Sequence, residues 1–156
     1  MTEDTGFKGS DSNGGASLPL RVIPLGGLGE IGLNMMAIEY DDSIIVVDCG
    51  LMFPEEYMLC IDIVIPDITY LKANRHKVKA FFITHGHEDH TGALPFVLRE
   101  ISAPIYATAL TIGLITEKLE EHCLAKSTVF ETVRPRDVVA IGPFKVEFIR
   151  VCHSIV

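Results

Sequence analysis

Three imidazoles and two carboxylates fall within six consecutive residues, His85-Gly86-His87-Glu88-Asp89-His90. Neutral imidazole and carboxylate are ligands for Zn²⁺, and less selectively for Mn²⁺ or Fe. A single histidine is most often a satisfied core or surface residue. Three of them with an aspartate in so short a stretch favour a metal site, with motif coincidence as the standing objection. On an extended loop His85 and His87 point the same way, while Asp89 and His90 reach a second point nearby. Glu88 alternates out of that set and reads as solvated or supporting.

The neighbouring sequence positions the cluster. Residues 78–84 (VKAFFIT) are apolar and read as a buried strand, and Thr91-Gly92-Ala93-Leu94-Pro95 opens a helix over 94–100. The cluster therefore occupies a strand-to-helix loop at one end of a sheet, where open α/β proteins place ligands. Upstream, residues 20–25 read as a first strand ending in a Gly-rich turn, Gly26-Gly27-Leu28-Gly29-Glu30-Ile31-Gly32. Residues 34–40 and 43–48 read as strands joined at Asp41-Asp42, a hairpin signal. Residues 61–67 are extended, and 68–73 make about one helical turn.

Beyond the cluster come a short strand over 104–107 and the strongest helix, 109–123. Its apolar side carries Leu110, Gly113-Leu114 and Leu119, and its acids Glu117, Glu120 and Glu121 face outward. Residues 128–133, 138–141 and 145–151 read as closing strands, with Gly142-Pro143 as a turn. His153 follows the last of these, at a place like that of the first cluster, and is a further ligand candidate. Strands without helices followed by βαβα units predict a layered α/β sandwich rather than a pure parallel sheet.

At 156 residues the chain can bury a real core in one domain, and 48% hydrophobic with 22% charged residues fits a soluble protein. No apolar stretch approaches the roughly 20 residues that span a bilayer. Residues 1–17 lack the basic and apolar regions of a signal peptide and, being polar and Gly/Ser-rich, read as a disordered tail before a domain over 18–156. Cys49, Cys60, Cys123 and Cys152 show no CxxC spacing, so free thiols in a reducing cytoplasm are expected. Cys152 adjoins His153 and is either a soft ligand or, the favoured reading, a buried apolar thiol. The net charge of −8 argues against a broad basic surface for nucleic acid, without excluding a nuclease whose metals and other domains handle the phosphates.

One rival reading competes for the Gly-rich turn. Gly27 to Gly32 matches GxGxxG after a strand, and Asp48 lies 21 residues past Gly27, as in a dinucleotide-binding unit. That unit needs an amphipathic helix where residues 33–40 show no clear helical stripe or cap. It also leaves the histidines unexplained, so a tight turn with positive φ is preferred.

HGHEDH resembles the HxHxDH signature of the metallo-β-lactamase superfamily. Asp48 in Val46-Val47-Asp48-Cys49-Gly50 and His153 match that superfamily's earlier aspartate and its next ligand histidine. Pro24 to Gly32, Val64-Ile65-Pro66-Asp67 and Thr84 to Ala93 together resemble the ribonuclease J family of the β-CASP branch. The resemblance covers essentially residues 18–155 and implies the N-terminal portion of an αββα sandwich. Ribonuclease J chains are several times longer, with an inserted β-CASP domain and a C-terminal domain, and continue with Pro-Asp-Ser where Val156 stands here. Their bridging aspartate and final histidine ligand have no counterpart in this sequence, so a fragment is expected. Cys60 stands where the family has glycine.

The resemblance implies a centre of two divalent ions, Zn²⁺ first and Mn²⁺ as the alternative, hydrolysing RNA 5′-to-3′ and internally in RNA maturation and decay. His85, His87 and His153 would hold one ion, and Asp89 and His90 would contribute to the second. The candidate catalytic residues are Asp89, which could hold the proton of the attacking water, and Asp48, which would fix ligand orientation by hydrogen bonding. RNA is the implied partner, homo-oligomers are implied for intact relatives, and no membrane is. Weak or no turnover is expected of the piece alone, with exposed edges and apolar surface. A thioester or lactam hydrolase and a non-catalytic metal-binding fragment remain as alternatives.

Overall fold

The computed structural model describes residues 18–151 and 153; the tail read over 1–17 and the Cys152 thiol lie outside the described residues. Arg21–Gly26 (β1), Met35–Tyr40 (β2) and Ser43–Val47 (β3) form an antiparallel meander. Asp41 closes the β2–β3 turn at φ 55°, a conformation that aspartate tolerates. In the Gly-rich turn Gly27, Gly29 and Gly32 all take positive φ, and a strand, not a helix, follows. That removes the dinucleotide-binding reading.

From β3 the sheet continues in parallel through Val78–Phe82 (β4), Ile105–Ala107 (β5) and Phe130–Thr132 (β6), in the order β1-β2-β3-β4-β5-β6. Parallel neighbours need crossovers, and four helices lie in them: Thr69–Ala73 (α1), Glu88–Thr91 (α2), Leu94–Val97 (α3) and Ala109–Glu121 (α4). Val138–Ile141 (β7) and Phe144–Glu147 (β8) form a separate hairpin.

Strand β3 is apolar from Ile44 to Val47 because both its faces are covered. Ile44 and Val46 join Phe81, Leu94, Ile115 and Leu119 in the core beneath the helices. Ile45, Ala80 and Phe82 face the other way, against Val139, Ile141, Phe144 and Val146 of the hairpin. The layers run helices, sheet, hairpin, which is an α/β architecture matching the first three layers of an αββα sandwich. Among the described residues no helix packs on the hairpin side. Val22, Val138, Ile149 and Val151 are all more than half exposed.

Away from the histidine cluster, three elements differ from the sequence reading. The helix expected over 94–100 is the single turn α3. Strand β8 stops at Glu147, because Phe148 exchanges backbone bonds with Arg136 and Asp137 where Arg136 takes φ 76°. Helix α4 buries Thr111, Ile115 and Leu119, whereas Leu110 and Leu114 are 53% and 41% exposed. Apolar residues run most of the way round α4, so its periodicity leaves the buried face ambiguous. Cys60 takes φ 66°, which explains why glycine suits that position.

A buried carboxylate ties the meander to α1. Glu39 accepts hydrogen bonds from Tyr70 Oη at 2.5 Å, Arg21 Nη1 at 2.7 Å and Lys77 Nζ at 3.3 Å. The Tyr70 bond, helped by Lys77 and Arg21, overcomes the opposing effect of burial and holds Glu39 below its ordinary value of 4.5. A depressed carboxylate stabilises the fold above its unfolded pKa and loses that contribution as pH falls through the folded one. Glu39→Gln should therefore cost about 2 kcal/mol at neutral pH. The difference from the unsubstituted chain should shrink below pH 4.5, as urea midpoints across that range will show.

Candidate metal centre

The C-terminal ends of β3 and β4 lie side by side and each releases a functional segment. Asp48 leaves β3 at φ 59°, again in the left-handed region that aspartate accepts. Its backbone N–H donates to Phe82 O at 2.9 Å. After β4, the Ile83 N–H donates to Tyr106 O at 2.9 Å, and Thr84 to His87 then cross the strand ends.

Asp89 and His90, expected on a loop, lie on the helical turn α2, whose first backbone bonds run to His87 O. Four residues are too few to show helical periodicity, and the turn is held from outside. Cys49 N donates to His90 O at 2.8 Å, Leu51 N to Glu88 O at 3.1 Å, and Ala93 N to Cys49 O at 2.9 Å. This approach is so close that a Cβ on Gly50 would lie 1.6 Å from the Asp89 carbonyl oxygen.

The imidazoles converge. Ring centroids of His85 lie 4.7 Å from His87, 4.4 Å from His153 and 4.1 Å from His90. One nitrogen from each of His85, His87 and His153 falls within 4.8 Å of the other two. His85 Nε2 and His87 Nδ1 share a hydrogen bond of 2.9 Å. Zn–N bonds of 2.0–2.1 Å in a tetrahedral shell set nitrogens about 3.3 Å apart, so small ring movements convert this trio into a ligand set. Three imidazoles are also the donor chemistry that Zn²⁺ accepts. Close by, His90 Nε2 and Asp89 Oδ2 are 3.4 Å apart.

Asp48 connects the two groups. Its carboxylate accepts from Thr84 N at 2.8 Å, Thr84 Oγ1 at 2.9 Å and His90 Nδ1 at 2.8 Å. With Nδ1 directed at Asp48, Nε2 is the His90 nitrogen that faces Asp89. Thr84 Oγ1 also lies 3.0 Å from His85 Nδ1, leaving Nε2 of that ring for the trio. Orientation of a ligating histidine through its other nitrogen is a recurrent device of metal sites. Burial, then the neighbouring imidazoles, lower the pKa of His85 and keep it neutral, as a ligand must be. For His90, burial is outweighed by the hydrogen bond and charge of Asp48 and by the charge of Asp89, so its pKa is raised.

The structure thus brings His85, His87 and His153 to one point, sets Asp89 beside His90, and places Asp48 behind both. Glu88 turns away and pairs with Lys118. Sequence reasoning missed Thr84, Gly50 and Asn34, whose Nδ2 lies 3.1 Å from Asp89 O. Thr84 and Gly50 adjoin residues already singled out; Asn34 carried no signal beyond following the Gly-rich turn. Clefts open on two sides of the cluster, one lined by His85, His153, Thr108 and Arg134, the other by Asp89, Ile31, Phe53 and Tyr57. No helix among the described residues is long and apolar enough to cross a membrane.

Residues 28–151 match the family model of the metallo-β-lactamase superfamily. The chain is 46% identical over 138 residues to ribonuclease J of Helicobacter pylori, covering 88% of this chain and 20% of that protein. It is 47% identical over 138 residues to ribonuclease J of Synechocystis, covering 87% and 22%. It therefore spans about a fifth of the length of these curated relatives. Among solved structures it superposes on the metallo-β-lactamase fold protein YhfI of Bacillus subtilis with a TM-score of 0.58 at 22% identity, over 87% of this chain and 55% of that one. With the layered sheet and the converging histidines, these matches lead to one assignment: the chain belongs to the metallo-β-lactamase superfamily.

Proposed function

We propose that this chain carries the metal-binding segment of a metal-dependent ribonuclease of the ribonuclease J kind. The observation that carries the reading is the convergence of His85, His87 and His153 beside the Asp89–His90 pair. The substrate class rests on the similarity to ribonucleases J across 88% of the chain.

In this reading His85, His87 and His153 hold one divalent ion, and Asp89 with His90 contributes to a second. Three imidazoles favour Zn²⁺ at the first position, and the carboxylate admits Mn²⁺ at the second. When bound, such ions lower the pKa of water and stabilise negative charge growing on a phosphate. The residues do the rest. Asp48 and Thr84 hold the rings of His90 and His85 in one orientation. Asp89, whose side chain is 42% exposed, is the group placed to hold the proton of an attacking water. Arg134, on the rim of the His85 cleft, offers a cation to the phosphate chain.

The chain alone is expected to turn over RNA weakly or not at all, since Asp89 and His90 are a sparse ligand set. The test is therefore a chimera in which this chain replaces the matched stretch of the Helicobacter pylori ribonuclease J. The chimera should hydrolyse single-stranded RNA, and its His85→Ala/His87→Ala form should not. A chimera that folds and binds metal but leaves RNA intact would sink the substrate assignment.

A further inference from the structure

We propose that Asn34 is a positioning residue for the second cation position, holding Asp89 and His90 in the arrangement that receives the ion. The proposal rests on the metal-centre reading above and assigns that centre a part outside its own motif.

Asn34 is fixed on both backbone sides. Its N–H donates to Asp89 O at 3.1 Å, and its carbonyl accepts from Gly50 N at 3.0 Å. Its side-chain Nδ2 lies 3.1 Å from Asp89 O, 3.2 Å from Asp89 Oδ2 and 3.2 Å from His90 Nε2. An amide nitrogen only donates. In the neutral ring, the form that binds a cation, the Nδ1 proton is directed at Asp48 and Nε2 presents a lone pair to that donor. One amide group thus addresses both atoms that the second position offers and keeps them adjacent, 3.4 Å apart. The Asp89 carbonyl is not among those two atoms, so it stays an acceptor for Asn34 whatever the side chains bind.

The other end of the amide lies close against the Gly-rich turn. A Cβ on Gly27 would come within 2.9 Å of Asn34 Oδ1. Gly27 also stands at φ 80°, so the turn closes over Asn34 in a form that other residues resist. The turn that matched a dinucleotide motif by spacing thereby acquires a place at the metal centre. The two positions share Asp48 but differ in their other support: Thr84 serves His85, and Asn34 serves Asp89 and His90. Loss of Asn34 should consequently be felt at one position and not at the other.

The experiment loads the full chain with one equivalent of Zn²⁺ and titrates it with Mn²⁺, following the free ion by electron paramagnetic resonance. Zn²⁺ affinity is measured separately by competition with a chromophoric chelator. Asn34→Leu, close in size and without the amide, should weaken Mn²⁺ binding by roughly 10- to 100-fold and leave Zn²⁺ affinity unchanged. Asn34→Ala should show the same selectivity and serves if the leucine variant fails to fold. Equal losses of both affinities together with a lowered melting temperature would make Asn34 merely structural and overturn the proposal. Unchanged Mn²⁺ binding, or an unsubstituted chain that takes Zn²⁺ and no Mn²⁺, would overturn it too. A chain that binds neither ion would overturn the metal-centre reading itself.

Discussion

The His85→Ala/His87→Ala chain is expected to keep its secondary structure and to take up no zinc. Both side chains lie past the end of β4, outside the two apolar cores, so their truncation leaves the packing of Phe81, Leu94 and Ile115 intact. The cation, by contrast, loses two of the three nitrogens that converge within 4.8 Å. The difference is readable as ligand-linked stability. An ion present at about 100 times its Kd stabilises the folded chain by about 2.7 kcal/mol. For a chain of this size that corresponds to roughly 5–11 °C in melting temperature. The unsubstituted chain should show this rise on adding zinc and the double variant should not. Equal shifts in the two would place the ion elsewhere.

Gly50→Ala should do the opposite, damaging fold and site together. The methyl group it adds meets the Asp89 carbonyl oxygen at 1.6 Å and His90 N at 2.9 Å, and both are backbone atoms with no side chain to swing aside. Accommodation has to separate residues 48–51 from α2, breaking the bonds from Cys49 N to His90 O and from Leu51 N to Glu88 O. Overpacking of this kind costs about 3 kcal/mol. Because α2 carries Asp89 and His90, the displacement also moves them from Asp48 and Asn34. Denaturant unfolding should show the lost stability, and metal titration should show both positions weakened. A Gly50→Ala chain of unchanged stability would mean that the two segments do not approach as described.

The main lines of the fold were readable in the sequence because each rests on a local signal. The Asp41-Asp42 turn between two strands and the apolar run of β4 placed three central strands within a residue or two. The cluster itself was legible because two histidines one residue apart leave a strand end together. What escaped had no local signal. Helical turn α2 is stabilised by backbone bonds from Cys49, Leu51 and Asn34, up to 55 residues away along the chain. The buried face of α4 is decided by what it packs on, with Leu114 leaning over Gly86, where a Cβ would meet its Cδ1 at 2.5 Å. Asn34 could be found only once Asp89 was set beside it in space. Asp48 is legible only through the family resemblance; its physical reason, the hydrogen bonds from Thr84 and His90, is a tertiary one.

The metal centre is tested most directly by zinc K-edge X-ray absorption on the chain carrying one equivalent of Zn²⁺. The expected spectrum has a nitrogen or oxygen shell at about 2.0–2.1 Å with outer-shell scattering from three imidazoles, reduced in His153→Ala. A sulfur shell at about 2.3 Å, or zinc bound without imidazole scattering, would contradict the assignment of His85, His87 and His153.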